Sequence, residues 1–273
     1  MLNTKWLETT LEGESEGTAW EQFHESSKTG HYDLGLPTER VVQEMNRLYE
    51  SLPYRNLPSI ALPDSLVPIE RGFCETVLGR VTPSAIRPVS MSLETLRTLL
   101  HLTYGVTRDN RDNPHIHRGF RSVPSGGALY PLELYFYHAG AVEGLPPGIF
   151  HYSPEDNTLH QIVPGNCDEQ LSQALVEFQR DLAKTLSVTI FITALFQRSI
   201  FKYRDKGYRF TLLEAGHVAQ NINLSATALG LGVINLGGFH DRLVDRMLGL
   251  DGLNHSVLYL NGLCAGDVDD ARD

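Results

Sequence analysis

Apolar positions recur at helical spacing over residues 19–27 and again over 37–52, where Pro37 supplies the fixed φ that suits a first helical turn. Pro53, Pro58, Pro63 and Pro68 then punctuate a stretch that can be neither a helix nor a central strand and reads as an extended arm. Residues 92–104 carry an N-cap serine, leucines at 93, 96, 99 and 100, and Gly105 as the stop, which predicts an amphipathic helix. Residues 132–139 alternate aromatic and aliphatic side chains and predict a strand. Residues 148–152 and 158–163, joined by Pro154-Glu155-Asp156-Asn157, predict a hairpin. A helix is expected over 168–182, followed at 187–193 by a β-branched run of the kind that fills a central strand.

The longest periodic segment spans about 208–229. Leu212, Ala215, Ala219, Ile222, Ala226 and Leu229 form one stripe whose small residues let a partner helix approach closely. That stripe suits the core of a monomer and the seam of a dimer equally. Strands mixed with long helices, without regular βαβ alternation, give an α+β fold class.

Composition changes this picture mainly by exclusion. A chain of 273 residues can build one large core or two small ones, and it shows no internal repeat. Its net charge of −10 argues against nucleic acid and against an anionic membrane as partners. No apolar run reaches the ~20 residues of a membrane helix, and Met1-Leu2-Asn3-Thr4-Lys5 has no apolar signal region, so a cytoplasmic location is expected. Cys74, Cys167 and Cys264 are far apart and outside any Cys-x-x-Cys spacing, and read as packed thiols. Residues 1–17 are polar and acidic and are expected to be mobile.

Candidate chemistry concentrates in residues 201–210, which run into Glu214-Ala215-Gly216-His217-Val218-Ala219-Gln220-Asn221. Lys202 beside Tyr203 is either part of a solvated helix start or the equipment of a proton-abstracting site, since burial keeps an amine basic near neutrality and a phenol can relay its proton. Glu214, His217 and Asn221 share another face of the long helix, where they either line a cavity or are satisfied in the core.

Residues 118–131 hold a second candidate. Adjacent Gly126 and Gly127 after Pro124-Ser125 allow the backbone to approach a ligand, and Arg118 and Arg121 offer charge for a phosphate; an ordinary turn before a strand explains the glycines almost as well. Ser125 lacks the Gly-x-Ser-x-Gly setting of a hydrolase nucleophile. Gly230-Leu231-Gly232 lacks the third glycine of a dinucleotide fingerprint and follows a helix, whereas Gly237 and Gly238 could present bare N–H groups to a flat ligand. No metal site is expected: His24-Glu25 lacks the second histidine of a zinc protease, and His115 and His117 sit in a loop without a third ligand.

Taken in order, Phe23-His24-Glu25-Ser26-Ser27-Lys28, the Pro124–Pro131 motif, Gly148-Ile149-Phe150-His151-Tyr152, Lys202-Tyr203 with Gly207-Tyr208-Arg209, the Glu214–Asn221 segment, and Ala228-Leu229-Gly230-Leu231-Gly232 with Gly237-Gly238-Phe239 resemble the SagB-type, McbC-like azoline dehydrogenases of the flavin nitroreductase superfamily. The resemblance runs from about residue 23 to the end. It implies a homodimer, an antiparallel sheet between helices, and FMN at the subunit interface. It also implies a reaction, the two-electron oxidation of a peptide thiazoline or oxazoline to the thiazole or oxazole.

By the same resemblance Lys202 and Tyr203 are the general-base pair, Pro124, Ser125, Gly126 and Gly127 touch the flavin or its ribityl chain, and Gly237 and Gly238 border the ring. Arg80 and Arg121 are the candidate phosphate contacts. The family's Arg-Arg-Ser-x-Arg-like cluster is thinned here to Gly79-Arg80-Val81-Thr82-Pro83-Ser84, which should weaken FMN binding by roughly 1.5–3 kcal/mol unless Arg87, Arg118 or Arg121 substitutes. Lys206 replaces an arginine usual before Gly207, keeping the charge and losing the planar fork.

Against the acidic background, Arg198, Lys202, Arg204, Lys206 and Arg209 form a basic cluster. It either guides an anionic carrier, such as a precursor peptide or a carrier protein's phosphopantetheine arm, or makes ion pairs with Asp181, Asp205 and other acids. The expected organisation is an N-terminal helical and proline-rich extension at 1–68 and an FMN-binding oxidoreductase domain at 69–273, working with other assembly-line enzymes of ribosomal or nonribosomal peptide biosynthesis. An NAD(P)H-dependent nitroreductase and a non-catalytic assembly subunit are the alternatives.

Overall fold

The computed structural model describes residues 19–31, 35–110, 112 and 118–266. The acidic stretch 1–17 and the histidines at 115 and 117 lie outside them. Two helices open the described residues, α1 (Ala19–Ser26) and α2 (Thr38–Arg47), with Pro37 at the N-cap rather than in the first turn. The proline-punctuated arm follows. It is extended, as expected, and three of its residues pair with the main sheet as β1 (Ser59–Ala61), an edge position that prolines on either side tolerate. Helix α3 (Phe73–Gly79) had no clear periodic signal, because Phe73, Val77 and Leu78 are exposed rather than turned to a core.

Helix α4 (Leu93–Tyr104) starts as its sequence dictates: the Ser92 hydroxyl accepts from the Thr95 N–H at 3.2 Å, satisfying one of the orphan donors of the first turn. A small two-stranded ribbon, β2 (Val106–Arg108) with β3 (Phe120–Arg121), leads to the glycine loop and into β4 (Leu132–His138). The expected hairpin is β5 (Gly148–Ser153) and β6 (Thr158–Pro164). The helix expected over 168–182 is broken into α5 (Asp168–Ala174), a single 3₁₀ turn at Glu177–Gln179, and α6 (Leu182–Thr185). The break falls at Leu175, which is extended and bridges to Phe239, a pairing that local propensity could not reveal.

The remaining elements are β7 (Val188–Leu195), α7 (Gln197–Tyr203), α8 (Asp205–Ala228), β8 (Leu231–Leu236), α9 (Asp241–Leu248) and β9 (His255–Ala265). Seven strands form one sheet in the order β1-β6-β5-β4-β7-β9-β8, antiparallel at every pairing. Both faces are covered, which is why β4 reads apolar in both parities. Leu134 and Phe136 face α4 and α8, packing with Leu96, Leu99, Val218 and Ile222. Tyr135 and Tyr137 face α5 and α9, packing with Leu171, Ala174, Val244 and Leu248.

The stripe on α8 therefore belongs largely to the monomer core: Ala215, Val218, Ala219, Ile222 and Ala226 are buried, while Leu212 and its neighbour Leu213 face outward. The junction of α7 and α8 is tight. Arg204 bends it at φ 51°, and a Cβ at Gly207 would lie 2.8 Å from the Ser199 carbonyl, so only glycine lets α8 begin there. The start of β4 and the end of β7 meet at Leu132 and Ala194, and Leu195 pairs with His255. The glycine loop, α7 and the Gly237-Gly238 turn after β8 thus all leave the same end of the sheet. No described helix is long and apolar enough to cross a membrane.

Candidate active site

Helix α7 leaves the sheet directly after β7, and its first turn is anchored by a buried arginine. Arg198 pairs with Glu133 Oε1 on β4 at 2.7 Å and donates to the Tyr130 carbonyl at 3.3 Å. Lys202 stands four residues on, so the same helix face that grips the entry to β4 carries the amine toward the glycine loop. Both head groups arrive at Gly127: a Cβ on that residue would stand 2.6 Å from Tyr203 Oη and 2.7 Å from Lys202 Nζ. Lys202 Nζ lies 5.0 Å from the Tyr203 ring centroid, and the Tyr203 ring meets Phe210 edge-on at 5.0 Å. Phe210 in turn closes on Gly126, 3.1 Å from where its Cβ would be. Lys202 and Tyr203 are half-buried, and Pro124 at the start of the loop is exposed.

Beneath the loop lies a buried polar chain. Tyr104 donates to Glu214 Oε1 at 2.9 Å, and the Ser125 hydroxyl makes a second polar contact to the same carboxyl. Burial raises the Glu214 carboxyl to about 7, against the opposing pull of those hydroxyls and of Arg121 and Arg198. Glu133 shows the reverse outcome. Burial opposes its ionisation too, but Arg198, His151 at 2.6 Å and Arg121 win and hold it down to about 2.

Several expected roles change once burial is seen. Arg121 cannot meet a phosphate at the loop surface: its guanidinium is enclosed, 4.3 Å over the Tyr104 ring, donating to the Glu50 carbonyl at 2.6 Å and pairing with Glu155 at 3.4 Å. Arg118 is likewise committed, to the carbonyls of Met45 and Leu129 at 2.8 and 3.2 Å. The basic cluster also dissolves. Arg198 is the buried anchor described above, Lys206 donates to Thr29 at 2.7 Å, and Arg209 bonds the Ser27 hydroxyl and the His24 carbonyl, tying down α1. Of that set Arg204 is exposed.

His217 is exposed and Asn221 donates to the Leu102 carbonyl at 3.2 Å, so Glu214 alone of its trio enters the site. Gly238 serves local packing: its carbonyl accepts from Val176 at 3.2 Å, and a Cβ would come within 3.1 Å of Val176. Gly237 is exposed and follows β8, which points toward the glycine-loop end of the sheet three strands from β4.

Arg80 is half-buried at the end of α3, on the C-terminal half of α8: Arg71 before α3 donates to the Thr227 carbonyl at 3.1 Å, and Pro83 packs over Gly232. The glycine loop meets α8 at Phe210 instead, roughly 25 Å away along the axis at 1.5 Å per residue. Sequence reasoning placed Arg198 in a basic cluster rather than at a buried anchor, and missed Glu133. The available signals were the four-residue step from Arg198 to Lys202 and the lone acid inside an otherwise aromatic and aliphatic strand.

Residues 78–263 match the nitroreductase family. The chain is 35% identical over 192 residues to the nitroreductase-type protein MJ1384 of Methanocaldococcus jannaschii, covering 69% of this chain and 88% of that one. It is 27% identical to the trifolitoxin-processing protein TfxB of Rhizobium leguminosarum bv. trifolii, over 83% of this chain and 60% of TfxB. The microcin B17-processing protein McbC of Escherichia coli is 30% identical over 56% of each chain. The chain thus spans little more than half the length of these two processing proteins.

Among solved structures, a nitroreductase-type protein from Anabaena variabilis superposes with a TM-score of 0.69 at 22% identity, over 94% of this chain and 49% of that one. A chain of the E. coli microcin synthetase McbBCD complex, solved with truncated pro-MccB17 bound, superposes at 0.59 and 24% identity over 92% of both. These last two likenesses concern the fold. With the family match covering well over half its length, the chain belongs to the nitroreductase family.

Proposed function

We propose that this protein is an FMN-dependent dehydrogenase that oxidises a thiazoline or oxazoline within a peptide to the aromatic azole. The observation that carries the reading is the convergence of Lys202 Nζ and Tyr203 Oη on Gly127. It sets a basic group and a proton relay side by side against backbone, where only a residue without a side chain leaves room for both head groups. The resemblance to TfxB and McbC supports a peptide as the substrate class. A cleft of about 900 Å³ runs along the outer face of α7, lined by Ile200, Phe201, Arg204, Tyr208 and Leu253, and gives a peptide room next to the helix that carries the pair.

The residues fit a flavin in part. Gly126 and Gly127 offer backbone free of side chains beside Lys202 and Tyr203, Gly237 a second bare edge, and Arg80 the charge for a phosphate, while Arg121 is excluded by its burial. Arg80 and the glycine loop stand at opposite ends of α8, so one ligand touching both must take them from two copies of the chain. This favours a homodimer with its cofactor at the interface. Bound FMN supplies the two-electron acceptor. The chain's own task is to orient the azoline and take its ring proton at the Lys202–Tyr203 pair. Delivery by a precursor peptide or a carrier protein, with other assembly-line enzymes supplying the ring, completes the reading.

Mass spectrometry of a thiazoline peptide incubated with the enzyme tests it. The wild type should remove two hydrogens, and Lys202→Ala and Tyr203→Phe should slow the loss by roughly 10²–10⁴-fold, the usual worth of a positioned acid–base group. Full turnover in both variants would reject the base assignment. Rapid flavin bleaching by NAD(P)H with no need for Lys202 would instead favour the nitroreductase reading.

A further inference from the structure

The glycine loop is held, not relaxed. Gly127, Ala128 and Tyr130 all adopt positive φ, at 67°, 54° and 45°, and the last two pay a steric cost that glycine avoids. Two hydroxyls secure the segment: Ser125 Oγ accepts the Tyr130 N–H at 2.9 Å, and Tyr104 Oη accepts the Leu132 N–H at 3.3 Å. Each hydroxyl has one hydrogen to give. Tyr104 gives its hydrogen to Glu214 at 2.9 Å, and Ser125 contacts the same carboxyl. Glu214 is one helical turn from Phe210, the ring that closes on Gly126 and Tyr203, so a single face of α8 supports both the loop and the reactive pair.

We propose that Glu214 is a positioning residue whose carboxylate, gripped by Tyr104 and Ser125, registers the glycine loop against Lys202 and Tyr203, and whose protonation loosens that register. As a carboxylate it accepts from both hydroxyls, leaving their oxygens to accept the two loop amides. As an acid it must donate its own hydrogen to one of them, and that hydroxyl's hydrogen then loses its acceptor. The charged and titratable groups acting on Glu214 are Tyr104 from α4, Arg121 from β3, Tyr130 from the loop and Arg198 from α7. Both phenols are shifted upward by burial and stay protonated near neutrality. Glu214 is the member of this set that titrates near pH 7.

The effect on turnover rests on the dehydrogenase reading; the effect on the loop does not. Amide hydrogen exchange on the full chain, expressed as protection factors so that intrinsic pH dependence cancels, measures the loop directly. Protection at Tyr130 and Leu132 should rise roughly tenfold, the worth of about one hydrogen bond, as pH increases through about 7. Glu214→Gln should stay at the low-pH level throughout. Ser125→Ala should lose protection at Tyr130 while Leu132 keeps its step, which decides the matter even if the glutamine variant folds poorly. A flat wild-type profile, or a step that survives in Glu214→Gln, would overturn the proposal. A clear step in a protein that leaves thiazolines untouched would retire the dehydrogenase reading and leave the positioning role standing.

Discussion

Gly127 carries two constraints at once, a backbone at φ 67° and two reactive head groups where a side chain would begin. Gly127→Ala should therefore cost roughly 1–2 kcal/mol of stability from the left-handed backbone and also displace Lys202 and Tyr203. Gly126 has no positive φ, and a Cβ there would meet the edge of Phe210 at 3.1 Å and the Tyr203 ring only in ordinary contact at 3.7 Å, so Gly126→Ala should be milder on both counts. Thermal unfolding and thiazoline turnover on the two variants check this. Equal turnover losses would show that the register of the pair against Gly127 does not matter. At this scale the sequence was legible where chemistry is local: Lys202 and Tyr203 adjoin, and Pro124 to Gly127 form one run. It was illegible for Arg121 and Arg198, because an arginine's burial depends on acids such as Glu133 and Glu155 that are distant in the chain.

Helix α7 owes its placement to the Arg198–Glu133 pair. Glu133 in the folded state sits at about 2, below its ordinary 4.5, so its contribution is fully present above pH 4.5 and is lost as pH falls toward 2. Integrated, that is on the order of 3 kcal/mol. Glu214 runs the other way: raised to about 7, its neutral form favours folding below pH 4.5, and that benefit is lost as pH rises through 7. Ionisation of Glu214 thus tightens the loop locally while costing the fold globally. Urea unfolding across pH should show Arg198→Met destabilised by about 3–5 kcal/mol near neutrality, the cost of leaving a buried charge unpaired, with its acid-side dependence altered. Unchanged midpoints would mean that the pair does not anchor the helix. Element boundaries were readable where caps and periodicity agree, as at Ser92 and Gly105. They failed at Leu175, where a bridge to Phe239 overrides helix propensity.

For the molecule as a whole, α8 keeps an outward face that includes Leu212, Leu213 and Tyr208, and α3 beside it exposes Phe73 and Leu78. If two copies complete one site, this surface should be buried between them. Sedimentation should then show a dimer for the wild type and a shift toward monomer for Leu213→Asp, with no flavin retained in the monomer. A flavin-loaded monomer would defeat the two-copy site. The α+β class and an antiparallel sheet between helices were legible from pattern and resemblance. The strand order was not, since every neighbour of β7 is distant in sequence, and the elements after residue 229 passed unread, beginning with residues 231–236, which neither alternate nor carry turn signals.

The short strand β1 has a meaning for the limits of the folding unit. It covers the outer edge of β6 through residues 59–61, well upstream of residue 78, where the family match begins. Cut at the family boundary, the sheet would present β6 with a row of unpaired amides and carbonyls, an open template for strand addition by any neighbouring molecule. The arm thus covers that edge, and a folding unit that keeps its sheet edge covered begins upstream of the residues matched to the family.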